Sequence, residues 1–246
     1  MVDALLTWYR RERRDLPWRR TRDPYAILVS EVMLQQTQVA RVVPRYEAWL
    51  ERWPTVQSLA EAPLADVLRE WVGLGYNRRA VRLWEAARVV ARDGWPEALQ
   101  DLPGVGPYTA AAVGSFAFDR DEVAVDTNVR RLFARLGRPL VPPPGRAAEF
   151  NQATMELGAT VCTARAPRCG VCPLASRCGG PGEEVRGRGQ GRFEGSNRWV
   201  RGRVVAALAA GEGLPADIAA ERLEDALQGL LRDGLIRRTG EAYALG

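Results

Sequence analysis

The sequence predicts a mostly α-helical protein with a small α+β domain at its C-terminal end. Apolar residues recur at helical spacing over much of the first two-thirds of the chain, for instance in 32–50 and 64–72, where alternating strand patterns are scarce. Residues 235–245 instead alternate around a glycine turn at Gly240, which is typical of a β-hairpin.

The order of the elements follows from the breakers between them. Short Pro- and Gly-containing turns interrupt the first two-thirds, so we expect many helices of about 8 to 15 residues. Segment 181–195 is rich in Gly, Arg, Glu and Gln and predicts an exposed linker. It divides a core at 1–180 from a domain at 196–246, whose helices and terminal hairpin resemble a winged helix, a fold that contacts DNA or proteins.

The composition excludes several kinds of chemistry. The 246 residues are 46% hydrophobic and 26% charged, as in a soluble globular protein, and the net charge of +5 weakly favours a polyanionic partner. There is no His and no Lys, which removes imidazole catalysis and lysine Schiff bases, although GC-rich codon usage alone would explain the absence of Lys. Neither a signal peptide nor a membrane-spanning apolar run is present, so we expect a cytoplasmic monomer without a membrane partner.

The four cysteines form one compact motif. Cys162, Cys169, Cys172 and Cys178 have the spacing C-x6-C-x2-C-x5-C and account for every Cys in the chain. In a cytoplasmic protein such thiols favour metal ligation over disulfides. By itself the spacing leaves both a four-thiolate zinc site and a 4Fe–4S cluster open.

A glycine hairpin separates two helical patterns at 102–110. Glycine permits close approach of the backbone, and a helix that begins at Pro107 would point its N–H groups at a phosphate. A Gly-x-Gly between helices is more often only a turn.

Two acidic residues stand in unusual contexts. Glu31 lies among apolar and amide side chains in 30–39, and Asp126 follows an apolar run and precedes a helix. Two carboxyl groups at one site can divide the work of catalysis, one as a general acid and the other as a negative charge that stabilises a developing cation. The alternatives are a solvated helix residue for Glu31 and a helix N-cap for Asp126.

These motifs, in this order from Leu5 to about Cys178, resemble the MutY-type adenine glycosylases of the endonuclease III superfamily. The resemblance implies a two-lobed helix-hairpin-helix glycosylase fold, with a six-helix lobe at about 19–125 and an iron–sulfur lobe made of 1–18 and 126–180. It also implies a 4Fe–4S cluster on the four cysteines.

The same resemblance assigns the chemistry. Glu31 would protonate adenine with a pKa raised by burial, Asp126 would stabilise the sugar cation, and Asn128 would position Asp126 or the attacking water. Tyr108 occupies the place of the lysine that attacks the sugar in endonuclease III, which implies a monofunctional enzyme. Tyr108 would order a catalytic carboxylate or simply pack, and a related thymine-mismatch glycosylase also has a Tyr there.

DNA contacts are implied for a further set of residues. Gln36 and Tyr76 are the candidates for wedges that offset the cost of flipping a base out of the duplex. Asn77 departs from the second Tyr that follows in many MutY-type proteins. Arg19, within Leu16–Arg19, would help to line the adenine pocket. The full set of expected DNA-binding residues is Arg19, Leu34, Gln35, Gln36, Thr37, Tyr76, Leu102, Gly104, Val105, Gly106 and Thr109.

The last quarter departs from the usual family pattern. Typical relatives carry a larger Nudix-like domain that helps to recognise 8-oxoguanine, whereas here Arg192-Phe193 and 198–203 resemble short actinobacterial-type relatives. The arginines of 186–203 would lie along phosphates or merely be solvated.

The expected function is excision of adenine opposite 8-oxoguanine or guanine in double-stranded DNA, during base excision repair and in association with the nucleoid. The alternatives are a thymine or uracil glycosylase and a non-catalytic DNA-binding module.

Overall fold

The computed structural model describes residues 1–180 and 192–246, so most of the predicted linker, 181–191, lies outside the described residues. Helices dominate, and one antiparallel strand pair closes the chain. The helices are α1 Val2–Glu12, α2 Pro24–Leu34, α3 Val39–Arg52, α4 Val56–Glu61, α5 Leu64–Trp71, α6 Arg78–Asp93, α7 Pro107–Phe118, α8 Thr127–Leu136, α9 Ala147–Thr160, α10 Asn197–Ala209 and α11 Ala220–Arg232, and the strands are β1 Ile236–Thr239 and β2 Ala242–Leu245. The predicted fold class is confirmed.

Helix α3 shows how the sequence pattern becomes packing. Val42, Tyr46 and Trp49 recur at i, i+4 and i+7 and are buried. Trp49 meets Trp53 and Trp71 edge to face, with ring centroids 4.7 and 5.5 Å away, an arrangement that aromatic rings prefer. The apolar stripe read from the sequence is therefore the face that packs.

By their contacts, the described residues divide into two units. The first contains 1–31, 98–100 and 105–180, and its core lies among α1, α8 and α9. The second contains 32–97, 101–104 and 192–246. The lobe and domain boundaries predicted from the sequence stay predictions. None of the helices in the described ranges is both long and apolar enough to cross a bilayer.

The C-terminal residues of the second unit form two helices and a hairpin. Ile236 pairs with Leu245 and Thr239 with Ala242, around Gly240 at φ 64°. Helix α10 packs on α11 and also on α5, and α5 contacts β2. The C-terminal module, which we define as residues 192–246, is therefore packed against α5.

In the first unit a buried amide fixes the segment that leads into α8. Asn151 on α9 is fully buried, and its Nδ2 donates to Ser115 Oγ at 2.9 Å and to the Glu122 carbonyl at 2.8 Å. Its Oδ1 accepts from the Ala124 N–H at 3.1 Å. The extended stretch before α8 is thus hydrogen-bonded to a side chain rather than to a sheet.

Replacing Asn151 with Ala should lower the free energy of unfolding by about 2–4 kcal/mol, because it removes three hydrogen bonds made by a fully buried side chain. Urea denaturation measures the change. Asn77→Ala is the control, since the Asn77 side chain does not cap α6. Equal stabilities of the two variants would contradict the network.

Candidate functional site

Glu31 is a buried carboxyl group on α2. Only 6% of the residue is exposed. Burial raises its pKa from 4.5 to about 7, a hydrogen bond from Tyr108 lowers the pKa, and the negative charge of Asp126 raises it. A carboxyl with this pKa is about half protonated at neutral pH, which suits a general acid.

Tyr108, the second residue of α7, joins the two carboxyl groups. Burial raises the pKa of its phenol, and the charges of Glu31 and Asp126 raise it further. Its hydroxyl lies within hydrogen-bonding reach of Glu31 and 3.8 Å from Met155 Sδ on α9. The phenol is therefore a neutral hydrogen-bonding group, and the structure brings Glu31, Tyr108 and Asp126 together.

Asp126 is the N-cap of α8. Its Oδ1 accepts from the Val129 N–H at 2.7 Å, and its Oδ2 accepts from Asn128 Nδ2 at 2.8 Å. Both bonds hold the carboxylate in one orientation, and the helix N-terminus favours its negative charge. The interpretation of Asp126 as a helix N-cap is confirmed, and its role in a reaction stays a prediction.

Asn128 is in turn held by residues of α8 and α9. Arg131 donates to Asn128 Oδ1 at 2.9 Å, to the Gly158 carbonyl at 2.8 Å and to the Cys162 carbonyl at 2.9 Å. A Cβ at Gly158 would lie 2.8 Å from that of Asn128, so only glycine permits this approach. Asp126 is thus connected through Asn128 and Arg131 to the start of the cysteine motif.

All four cysteines line one pocket in the first unit, with Leu132, Leu136 and Leu174. Burial raises the pKa of the Cys172 thiol, and the charges of the other three thiols raise it further. Arg135 donates to Cys162 Sγ at 3.3 Å. Four sulfurs and an arginine therefore surround a shared space.

The glycine hairpin presents backbone rather than side chains. Of its predicted DNA-binding residues, Leu102, Val105 and Thr109 are buried, whereas Gly104 and Gly106 are exposed. Gly106 is the N-cap residue of α7. Because glycine has no side chain, it offers no side-chain acceptor to the first N–H groups of α7.

In the second unit, the two wedge candidates share an unusual backbone. Gln36 and Tyr76 have φ values of 56° and 49°, in the left-handed region that costs non-glycine residues about 1 kcal/mol or more. Both side chains are exposed. Strain of this kind persists only where the surroundings enforce it.

Arg79 on α6 holds the loops of Gln36 and Tyr76 in this strained conformation. Its guanidinium lies over the Trp71 and Tyr76 rings, 5.2 and 5.7 Å from their centroids, and burial lowers its pKa to about 10. Its terminal nitrogens donate to six oxygens, those of the Val32, Met33, Gln35, Leu74 and Gly75 carbonyls and the Thr37 hydroxyl. One side chain thus ties the loop of Gln36 to the loop of Tyr76.

Comparison with known protein families identifies the superfamily of this chain. The family model described as "HhH-GPD superfamily base excision DNA repair protein" matches residues 29–152, about half of the chain. The chain belongs to this superfamily. A second model, the iron-sulfur binding domain of endonuclease III, matches residues 162–178.

Individual relatives are similar to this chain over nearly its whole length. It is 48% identical to an adenine DNA glycosylase of Mycobacterium tuberculosis (strain CDC 1551 / Oshkosh), over 96% of this chain and 90% of the relative. It is 45% identical to one of Mycolicibacterium smegmatis, over 96% and 92%. Among solved structures, a thermostable thymine-DNA glycosylase is similar with a TM-score of 0.66 and 33% identity, over 72% of this chain and 93% of that one.

The donor set fits an iron–sulfur cluster. In the described segments, no three acidic, imidazole or thiol side chains are arranged to hold a single metal ion. Thiolates around one zinc would lie about 3.8 Å apart, given Zn–S bonds of about 2.3 Å, whereas a four-iron cube separates its ligands further. The match of the endonuclease III iron-sulfur binding domain to residues 162–178 therefore assigns a 4Fe–4S cluster to the four cysteines.

The remaining predicted residues have structural contacts of their own. Arg19 is 11% exposed at its side chain and donates to Glu156 at 2.7 Å and to the Arg14 carbonyl at 3.0 Å. Its guanidinium therefore holds α9, and its role in a base pocket stays a prediction. Leu34, Gln35 and Thr37 lie at the end of α2 and in the loop that Arg79 binds.

Sequence reasoning missed Arg79, Arg131, Asn151 and Gly158. Each has at least one partner 27 or more residues away in the chain, as in Asn151–Ala124 or Arg131–Gly158. No local pattern distinguishes such an arginine from the other basic residues of this chain.

Gly104 should tolerate no side chain. Its φ is 76°, and an added Cβ would lie 2.6 Å from Arg82 Cβ, so Gly104→Ala should lower the free energy of unfolding by about 1–3 kcal/mol. Gly106→Ala is the matched control, because nothing lies within 4 Å of its added Cβ. Urea denaturation of both variants checks this, and a Gly106 variant as unstable as the Gly104 variant would contradict it.

Burial of Glu31 should cost stability at high pH. The folded-state pKa of about 7 lies above the ordinary 4.5, so unfolding releases a proton and stability falls as the pH rises from about 4.5 through 7. Glu31→Gln removes this loss and should exceed the wild type by about 3 kcal/mol more at pH 8.5 than at pH 4. Denaturation at several pH values measures the difference.

The control for that series is Glu85→Gln, an exposed carboxylate that pairs with Arg82 at 2.9 Å. Its stability relative to the wild type should vary little with pH. A difference for Glu31→Gln that stays constant with pH would show that the carboxyl group is not buried.

Proposed function

We propose that the chain is an adenine DNA glycosylase that hydrolyses the N-glycosidic bond of adenine paired with 8-oxoguanine or guanine in double-stranded DNA. The observation that carries the proposal is the buried Glu31 carboxyl, with a pKa of about 7, beside Tyr108 and within the field of Asp126. The mycobacterial relatives named adenine DNA glycosylases support adenine as the base.

The chemistry divides between the two carboxyl groups. Protonated Glu31 gives its proton to a ring nitrogen of the everted base, and the base leaves with the electron pair of the broken C–N bond. Asp126, held as the carboxylate by Val129 and Asn128, stabilises the cation that forms on the sugar. Water adds to that cation and gives up a proton to a carboxylate, which completes the hydrolysis.

Tyr108 positions Glu31 and supplies no nucleophile. Its phenol stays protonated and hydrogen-bonded to Glu31. Lyase chemistry of the Schiff-base type requires an amine at the sugar, and because the sequence has no Lys, only the N-terminal amine remains as a source. The proposed enzyme is therefore monofunctional and leaves an intact strand with an abasic site.

DNA would be held by the hairpin and by the two strained loops. The N–H groups of the first turn of α7 suit a phosphate, and Gln36 and Tyr76 suit insertion into the duplex. The 4Fe–4S cluster would hold the cysteine loop in shape beside Arg131 and Arg135. All the proton transfers lie on Glu31, Asp126 and water.

Single-turnover assays with excess protein test the proposal on duplexes that pair A with 8-oxoguanine, A with G, T with G and U with G. We expect release of adenine, a rate that falls as the pH rises through about 7, and strand breaks only after alkali. Glu31→Gln should slow release by about 10²–10⁴-fold. Glu85→Gln should leave the rate unchanged.

Two results would overturn the assignment. Release of thymine or uracil with no release of adenine would show that adenine is not the substrate base. Unimpaired adenine release by the Glu31→Gln protein would show that Glu31 is not the general acid. Binding to every duplex without release of any base would point to a non-catalytic DNA-binding module.

A further inference from the structure

Arg135, near the C-terminal end of α8, contacts the cysteine motif at both of its ends. Its Nη1 donates to Cys162 Sγ at 3.3 Å, and its backbone carbonyl lies 3.3 Å from Cys178 Sγ. The side chain is half-buried and lines the pocket that all four cysteines share. No step of the proposed hydrolysis uses this arginine.

The guanidinium of Arg135 is also anchored to backbone oxygens. Its Nη1 donates to the Thr163 carbonyl at 2.8 Å, and its Nη2 donates to the Ala164 carbonyl at 3.2 Å. A guanidinium presents its donors in a rigid planar fork, so these two bonds fix the direction of the N–H that reaches the sulfur. The turn that follows Cys162 therefore sets the geometry of the bond to its sulfur.

The other donors near the cysteines differ from Arg135 in acceptor or in charge. Arg131, one turn earlier on α8, donates to the Cys162 carbonyl at 2.9 Å. Cys172 Sγ accepts from a neutral backbone N–H, that of Leu174. Of these three donors, Arg135 is the one that brings a positive charge to a cysteine sulfur.

The surroundings of Cys162 strengthen that contact. Leu132, Leu136 and Leu174 line the pocket, and these three residues and Cys162 are each at most 9% exposed. Charges in apolar surroundings are screened less than charges at the surface. A cysteine that binds iron does so as the thiolate, and a hydrogen bond between charged groups is about twice as strong as one between neutral groups.

A cation beside a ligand sulfur affects the electron affinity of an iron–sulfur cluster. The reduction potential depends on net charge, on hydrogen bonds to the sulfurs and on solvent exposure. An added electron makes the cluster and its sulfurs more negative, so a guanidinium N–H bond to Cys162 stabilises the reduced form more than the oxidised form. The Arg135 carbonyl offers no such bond to Cys178, because a thiolate has no proton to donate.

We propose that Arg135 raises the reduction potential of the cluster through its hydrogen bond to Cys162 Sγ. The residue is then a tuning residue of the cofactor as well as an anchor of the cysteine loop. The inference rests on the iron–sulfur assignment to residues 162–178 and not on which base the enzyme releases.

Protein-film voltammetry of the cluster-containing protein, without DNA, tests this for the wild type, Arg135→Gln and Arg135→Lys. Arg135→Gln removes the charge and should lower the equilibrium constant for one-electron reduction about 3- to 10-fold. This equals a shift of about 30–60 mV to more negative potential. Arg135→Lys keeps a cation and should recover at least half of the shift.

The matched control is Arg168→Gln. Arg168 is exposed, belongs to the same loop and donates through Nε and Nη2 to the Thr160 carbonyl, at 3.2 and 2.7 Å. Its replacement removes the same charge and a backbone anchor, but these bonds end on oxygen. The potential of Arg168→Gln should shift by less than half as much as that of Arg135→Gln.

A measurement on the wild type decides the matter even if a variant loses its cluster. The protein is produced with arginine labelled with ¹⁵N in the guanidinium group, and the cluster is studied in a paramagnetic state by pulsed electron paramagnetic resonance. A hydrogen bond from Arg135 to a ligand sulfur should give a ¹⁵N hyperfine coupling, which a residue that only anchors backbone carbonyls would not give.

Three results would overturn the inference. The first is equal potentials of the wild type and Arg135→Gln, and the second is an equal shift in Arg168→Gln. The third is the absence of ¹⁵N coupling in the labelled wild type. A failure of adenine release would affect only the proposed function, because neither the potential nor the coupling depends on the substrate.

Discussion

The burial of one carboxyl group, that of Glu31, constrains the first unit. A carboxylate away from water is costly, so the group takes up a proton near neutral pH and tolerates a second acid, Asp126, within its field. Tyr108 satisfies its polar atoms without adding charge. The surrounding scaffold keeps the three groups together, since Asn151 fixes the segment before α8 and Gly158 permits Asn128 to approach.

Features with a local signature could be predicted from the sequence. The helices, the terminal hairpin and the cysteine spacing each rest on residues close together in the chain. Asp126 carried two compatible interpretations because an aspartate before a helix is a favoured N-cap, whether or not its carboxylate also takes part in a reaction. Arg79 and Arg131 could not be predicted because many of their acceptors are backbone carbonyls that tertiary structure brings together. Every residue has a backbone carbonyl, so the sequence does not show which of them will accept a hydrogen bond.

In the C-terminal module, composition alone gave an incomplete prediction of the local structure. Gly- and Arg-rich sequence predicts a solvated linker ending at Gly195, yet residues 193–196 form the hydrogen-bonded turn that begins α10. Glycine is ambiguous in such a stretch, because it serves flexible chains and tight turns alike. What decides between them is the Ser196 side chain, which caps the helix.

The absence of lysine has a consequence at Arg79. Burial lowers its pKa to about 10, so the guanidinium keeps its charge throughout the physiological range. A lysine buried in the same place would lose its proton more readily, because the ordinary pKa of lysine, about 10.4, is well below that of arginine. A lysine also has three donors for six acceptors. Because Arg79 is an arginine, the contacts that join the loops of Gln36 and Tyr76 do not change with pH in the physiological range. The protonation of the Glu31 carboxyl group does change in that range.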